Sequence, residues 1–250
     1  MTSVLFCKHG GLIMPVTSGQ EKCVEDNVVT DISEETGGGK GISKKALRVL
    51  MELEILDNYS FEKGYLVIED GKLIGIKPHL AGDGFVTVGF GDCLREGDLE
   101  FYMAPERVSR ISGPLSDKVS EYDRIKDTVI PVDICFEKLI QDVSPLYEKA
   151  KTDFEEKGLI LSQNQLDALC IIKYQCYTIG DEAFNEILGD CDRVALYNDI
   201  LEKHGKNGNF EYRTNIEMNI FFGDGSDESY ETERGLSDII VEPLEEYYEK

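Results

Sequence analysis

The stretch LSQNQLDAL, residues 161–169, carries the most specific pattern in this sequence of 250 residues and predicts the start of a helix. Ser162 followed by Gln165 is a capping box, in which each side chain bonds the backbone N–H of the other at a helix N-terminus. The apolar run that follows extends at helical spacing to about Tyr177, and Gly180 is a suitable terminator. The sequence therefore predicts a helix whose beginning is fixed by its own side chains.

A second helix is predicted near residue 43, where a polar and glycine-rich segment ends. Ser43 is a suitable N-cap, and apolar residues then recur at the spacing of one helix face. The members of this face are Ala46, Leu47, Val49, Leu50, Leu53 and Leu56.

A β-hairpin is predicted directly after this helix. Tyr65–Glu69 and Lys72–Ile76 alternate in polarity and are joined by Asp70-Gly71, the strongest short-range hairpin signal. Another strand is predicted at Phe85–Val88, after the glycine turn at residues 82–84.

The rest of the sequence is predicted to be helical. Val132–Val143 has helical periodicity, and Pro145 is expected to break or restart that helix. Asp181 is expected to cap a helix that stops near Gly189, and residues 211–222 form a final amphipathic segment. The order predicts an α+β fold, with a small antiparallel sheet followed by a mainly helical domain.

The charge balance limits the possible partners. Twenty-six basic residues against 49 acidic ones give a formal net charge of -23. Nucleic acids and anionic membrane surfaces are recognised by clustered Lys and Arg, so neither is an expected partner. No apolar stretch approaches the roughly 18 residues of a membrane span, so membrane insertion is not expected.

The N-terminal region is expected to differ from the rest of the chain. Residues 1–23 are predicted to be a small appendage, and residues 24–42 a flexible linker, because that segment is polar, acidic and ends near a triple glycine. We interpret residues 43–223 as the main domain and residues 224–250 as an acidic, partly disordered tail.

Seven cysteines, an odd number without a pairing rhythm, indicate reduced thiols and a cytoplasmic location in the producing cell. The N-terminus lacks the basic run of a secretory signal, so action outside the cell requires release or non-classical export. Cys7, His9 and Cys23 are possible metal ligands, but no CxxC pair accompanies them, and we predict no metal or other cofactor.

Three motifs, in order, resemble the phage-type lysozymes of glycoside hydrolase family 24. Thr87-Val88-Gly89-Phe90-Gly91 is similar to the family's Thr-Ile-Gly-Tyr-Gly turn, and residues 161–169 resemble its L-[ST]-Q-N-Q-F-D-A-L helix. Residues 212–214 and 217–223 resemble its closing pattern. The resemblance covers about residues 43–223. It implies a lysozyme-like fold and cleavage of the β-1,4 bond between N-acetylmuramic acid and N-acetylglucosamine in peptidoglycan.

The resemblance implies that the catalytic acid is a Glu at the end of the first helix. Glu54 lies at the border of the apolar face, where partial burial would suit a proton donor. Glu52 lies outside that face and is expected to meet solvent. Residues 50–54 fit the family pattern with Glu54 last, although Ile55 stands where the family prefers Gly.

Two further site residues are predicted beside the turn. The resemblance assigns Thr87 to the cleft, where its hydroxyl would hold the attacking water. The family's second carboxylate would fall on Ala81, which cannot serve, so Asp83 is the candidate replacement. The alternative is that Asp83 only shapes its glycine turn.

The sequence departs from the family in two places. The hairpin at Asp70-Gly71 is inserted between Glu54 and the cleft strand, and Asp92 replaces the His that commonly follows the turn. A non-catalytic wall-binding or structural module on the same scaffold therefore stays open as an alternative. Residues 1–23 could also dock the protein on a phage particle or a secretion apparatus, as in an injected effector.

Overall fold

The computed structural model describes residues 41–80, 85–93, 99–102, 118–175, 192–204 and 208–249. The helices in these ranges are α1 (Lys44–Glu54), α2 (Asn58–Glu62), α3 (Leu99–Tyr102), α4 (Lys118–Ile125), α5 (Val132–Glu155), α6 (Gln163–Gln175), α7 (Arg193–His204), α8 (Gly208–Phe222) and α9 (Glu242–Glu249). The strands are β1 (Leu66–Glu69), β2 (Lys72–Ile76), β3 (His79–Leu80), β4 (Val86–Val88), β5 (Asp92–Cys93) and β6 (Ile130–Pro131). A 3₁₀ helix covers Asp227–Tyr230.

The predicted hairpin is confirmed, and it belongs to a three-stranded sheet. Asp70 and Gly71 have φ angles of 48° and 77°, the pair of positive values that a type I′ turn requires. Strands β1 and β2 pair around this turn, with a bulge between Val67 and Ile68. Strand β6 adds to the free edge of β2. The sequence analysis did not anticipate β6, because two residues are too short for a periodic signal.

A second three-stranded sheet has the order β3-β4-β5. The strand predicted at Phe85–Val88 is its middle strand, β4. His79 and Cys93 lie opposite Thr87 on either side, so one row of side chains crosses the whole sheet. The region expected to form one small sheet therefore divides into two.

Helix α6 lies at the centre of the helical body, packed against α5 and α8. One of the two bonds of the predicted capping box is present, because the Ser162 N–H donates to Gln165 Oε1 at 3.0 Å. Residues 168–172 are all fully buried, so the middle of this helix is apolar around its circumference rather than on one face. The helix is described as far as Gln175. Tyr177, Gly180 and the helix predicted between Asp181 and Gly189 lie outside the described residues.

Small antiparallel sheets combined with a helical body make this an α+β structure, as the sequence predicted. Within the described ranges, no helix combines the length and apolar character needed to cross a bilayer.

The predicted break at Pro145 is wrong, because α5 continues through it from Val132 to Glu155. Pro145 lies on the exposed face of the helix, as does Gln141, whose carbonyl would normally bond the missing N–H. An unpaired carbonyl in water costs much less than one in the core, so the helix tolerates the ring.

The expectation of disorder after Gly223 is also wrong for residues 224–249. Tyr230, Val241 and Leu244 belong to the hydrophobic core. Arg48 on α1 donates to the carbonyl oxygens of Leu236 and Ile239, which fastens this segment along the helix. We call residues 224–249 the C-terminal strap.

The last residue of the predicted linker, Ile42, is buried. Ile42 belongs to the core, and the Tyr248 hydroxyl on α9 donates to its carbonyl oxygen. The packed structure therefore includes at least one residue that the sequence analysis assigned to the linker. Residues 1–40, with the predicted appendage and the possible ligands Cys7, His9 and Cys23, lie outside the described residues.

We predict that Leu244→Ala destabilises the protein by about 2–5 kcal/mol, because it empties a core position in the strap. Leu244 is 2% exposed, whereas the nearby Ile240 is 45% exposed and provides the matched control. Ile240→Ala should change the free energy of unfolding by less than about 1 kcal/mol. Urea unfolding measures both, and equal small losses would show that the strap does not contribute to the core.

Candidate active site

Glu54 is the last residue of α1, and its carboxylate is largely enclosed. Its side chain is 10% exposed, and Oε1 accepts a hydrogen bond from Arg213 Nη1 at 2.6 Å. The partial burial expected from the border of the apolar face is therefore present. The carboxyl group is therefore largely shielded from bulk water.

Arg213 on α8 is the centre of a buried network. Its Nε bonds Glu217 Oε1 at 2.8 Å, Nη2 donates to the Ile171 carbonyl at 3.1 Å, and Nη1 also reaches Gln175 Oε1 at 3.3 Å. Burial acts to lower the pKa of Arg213, but the charges of Glu54 and Glu217 outweigh it and the pKa is raised. The guanidinium therefore stays charged, and its bonds to the carboxylates are charge-assisted.

The turn at Gly89-Phe90-Gly91 closes over Glu54. Gly91 has a φ of +88°, and a Cβ built on it would lie 2.3 Å from Glu54 Oε2. A side chain at this position would be strained by the backbone and would also displace the carboxylate. The Tyr174 hydroxyl donates to the Phe90 carbonyl at 2.6 Å and ties the turn to α6. The motif and the candidate acid, 37 positions apart, are thus in direct contact.

Thr87 is buried in the middle of the β3-β4-β5 sheet. Val86 and Val88 point into the core, so the Thr87 side chain lies on the opposite face. Residues paired across antiparallel strands share a face, which places His79 and Cys93 on either side of Thr87. The sheet therefore presents a row of an imidazole, a hydroxyl and a thiol.

Asp83, the candidate second carboxylate, lies outside the described residues, as does Ala81. The described chain resumes at Phe85, just before β4. The role of Asp83 therefore stays a prediction.

The expectation that Glu52 meets solvent is wrong. Glu52 is buried, bonds Arg48 Nε at 2.7 Å and accepts a hydrogen bond from the Thr232 hydroxyl. The helical wheel indicated correctly that Glu52 lies off the apolar face of α1. The C-terminal strap covers that second face, and the pattern of α1 alone contains no sign of it.

Asp92 forms a separate cluster next to the turn. The Tyr102 hydroxyl donates to its Oδ2 at 2.5 Å, and Lys138 Nζ lies 3.4 Å from the same oxygen. Burial raises the pKa of Asp92, although these two partners oppose the shift. Where the resemblance expects a His, the structure thus has a carboxylate that joins β5 to α3 and α5.

Arg213 is the site residue that the sequence reasoning missed as a partner of Glu54. The only signal was its presence in the closing motif at residues 212–214. A distance of 159 positions separates it from Glu54, and no local pattern spans such an interval.

Among the described residues, no group of three or more His, Cys, Asp or Glu side chains is arranged to hold a metal ion. Comparison with known protein families, with curated proteins and with solved structures gave no match. The resemblance to phage-type lysozymes therefore stays a prediction from the motifs within residues 43–223.

Gly91→Ala is expected to destabilise the protein more than Gly71→Ala. Both glycines have positive φ, but a Cβ at Gly71 would meet nothing within 4 Å, whereas one at Gly91 would meet Glu54. The backbone cost of roughly 1–2 kcal/mol is common to both variants. The additional loss in Gly91→Ala, of about 1–3 kcal/mol, would report the contact with Glu54. Urea unfolding of the two variants provides the comparison, and equal losses would contradict a close contact between the turn and the carboxylate.

His79 makes the stability of the fold depend on pH. Burial lowers the pKa of His79, and the opposing effects of a Lys77 backbone bond and the Asp57 charge do not cancel it. The folded state therefore binds a proton less readily than the unfolded state. The free energy of unfolding should fall as the pH decreases from about 6.5 and level off below the folded pKa.

His79→Phe isolates this contribution, because it keeps an aromatic ring against Tyr65, which stacks on His79 at 4.9 Å. Carboxyl groups whose pKa is raised in the fold, such as Asp92 and Asp167, increase the free energy of unfolding as the pH falls. Their contribution is the same in the parent protein and in His79→Phe, so it cancels in the comparison. Urea unfolding between pH 7 and 5 should show a smaller loss of stability in the variant. Identical slopes would mean that His79 is not held neutral in the fold.

Proposed function

We propose that this protein is a muramidase that cleaves the β-1,4 bond between N-acetylmuramic acid and N-acetylglucosamine in peptidoglycan. The observation that carries the proposal is the enclosed carboxylate of Glu54, held between Arg213 and the glycine turn at Gly91. The motif similarity supplies the substrate, and the contact between motif and carboxylate supports the proposed acid. The scaffold in this proposal is lysozyme-like.

Glu54 acts in its protonated form and gives that proton to the leaving glycosidic oxygen as the bond to the anomeric carbon breaks. The donor is left as a carboxylate, and the permanent charge of Arg213 at 2.6 Å stabilises that product state. A water molecule attacks the anomeric carbon, oriented by the Thr87 hydroxyl, and Asp83 takes the proton that the water loses. The reaction needs no metal or organic cofactor.

One observation favours a non-catalytic alternative. The carboxylates of Glu54 and Glu217 both bond Arg213 inside the protein, which is the arrangement of a structural ion network. In that case the chain would be a wall-binding or structural module, because a fold does not guarantee its chemistry. Both alternatives act on the cell wall after release from the producing cell. Delivery as an effector through residues 1–23 is compatible with either.

The test compares Glu54→Gln with Glu217→Gln on purified peptidoglycan. Each substitution removes one carboxylate from Arg213 and keeps the side-chain shape, but only the first removes the proposed proton donor. We expect Glu54→Gln to lower the rate of turbidity loss by about a hundredfold or more. Glu217→Gln should keep most of the parent rate, and thermal unfolding shows whether both variants are folded.

Three other outcomes contradict the proposal in different ways. Equal large losses in both variants would assign Glu54 to the structural network. Full activity in Glu54→Gln would exclude it as the acid. If the parent protein binds the wall without releasing fragments, the binding-module alternative is correct.

A further inference from the structure

A pocket of about 180 Å³ opens between the end of α2, the loop after β2 and helix α4. Three lysines contribute to its wall, Lys63, Lys77 and Lys126, against one carboxylate, Asp127. This composition is opposite to that of the whole chain, which carries a net charge of -23. Lysines that converge on one cavity repel one another, so their gathering requires a compensating charge.

The protein supplies only part of that compensation. Lys126 pairs with Asp123 at 3.0 Å, and the Lys63 ammonium lies 5.4 Å from the centre of the Tyr59 ring. No ion pair or side-chain hydrogen bond within the described residues engages the Lys77 ammonium, although this side chain is half-buried. A positively charged donor is therefore available at the pocket.

Two tyrosines add neutral donors to the same wall. Tyr65 and Tyr122 both line the pocket, and neither hydroxyl bonds another group within the described residues. Burial, followed by the influence of Tyr59 and Tyr122, raises the pKa of Tyr65, so its hydroxyl keeps its proton. Ammonium groups donate and cannot accept, and a protonated phenol is a good donor, so the wall favours a ligand rich in acceptors.

We propose that this pocket binds a small oxyanion, a carboxylate or a phosphate group, between Lys77, Lys126 and the two tyrosine hydroxyls. Recognition of this kind does not require that Glu54 be catalytic. The Tyr65 ring also stacks on His79, which pairs with Thr87, so a side-chain contact joins the pocket to the β3-β4-β5 sheet.

The proposal is tested by titrating the full chain with inorganic phosphate and, separately, with acetate while chloride keeps the ionic strength constant. Backbone amide NMR signals of residues 63–65 and 77 should shift and saturate, with dissociation constants of about 1–10 mM, typical of a small ligand with few contacts. Tighter binding of phosphate would identify a phosphate-bearing ligand, and tighter binding of acetate a carboxylate. Shifts that grow linearly with both anions, without saturation, would overturn the proposal.

A second experiment repeats the titrations with variants that each lack one lysine of the pocket. Lys77→Met should weaken binding by about tenfold or more, the loss of one charge-assisted hydrogen bond. Lys126→Met gives an independent variant of the same pocket. Lys149→Met is the control, because this exposed lysine pairs with Asp153 on α5, away from the pocket. Unchanged binding in both pocket variants would show that the anions bind elsewhere, and an equal loss in the control would show that they respond only to overall charge.

Because neither probe contains a glycosidic bond, a negative result here leaves the proposed hydrolysis untouched. Conversely, if the protein binds an anion through Lys77 but does not cleave peptidoglycan, the proposed pocket is supported and only the proposed muramidase activity is contradicted.

Discussion

The ion pair between Glu54 and Arg213 is the constraint on which the site depends. Arg213 also bonds Glu217 and the backbone of Ile171, so a single guanidinium joins α1, α6 and α8. Removing Arg213 would leave the carboxylates of Glu54 and Glu217 without compensation, a change that commonly costs about 3–5 kcal/mol. The same contact that holds the helices together therefore fixes the position of the candidate acid. The fixed position of this carboxylate also accounts for the glycine at position 91, because the turn approaches the carboxylate too closely for a side chain.

The opposite end of α1 is held by a second buried polar group. Asp167 on α6 accepts hydrogen bonds from the Ser43 N–H at 3.0 Å, from Gln163 at 2.8 Å and from the Tyr230 hydroxyl at 2.9 Å. Burial raises the pKa of Asp167, while these donors oppose the shift. Helix α1 is thus anchored to α6 at its start and to α8 at its end, which makes its last residue a rigid place for a reacting group.

Local patterns predicted the parts of the structure that depend on neighbouring residues. The cap at Ser162 and the turn at Asp70-Gly71 follow from hydrogen bonds and φ angles within a few positions. The partial burial of Glu54 could be read from one helix face, whereas its proposed role came from the family resemblance. The burial of Glu52 and the ion pair between Glu54 and Arg213 could not be predicted, because both depend on segments more than 150 residues away. The α+β class was therefore accessible from the sequence, and the electrostatic framework of the site was not.

Product analysis tests most directly which bond the proposed muramidase breaks. Purified peptidoglycan would be digested with the parent protein, reduced with borohydride and hydrolysed, and the reduced amino sugars separated. Cleavage after N-acetylmuramic acid creates a new reducing end on that sugar, so the account predicts reduced muramic acid that accumulates with time. Accumulation of reduced glucosamine alone, or no new reducing ends while the wall is bound, would contradict it.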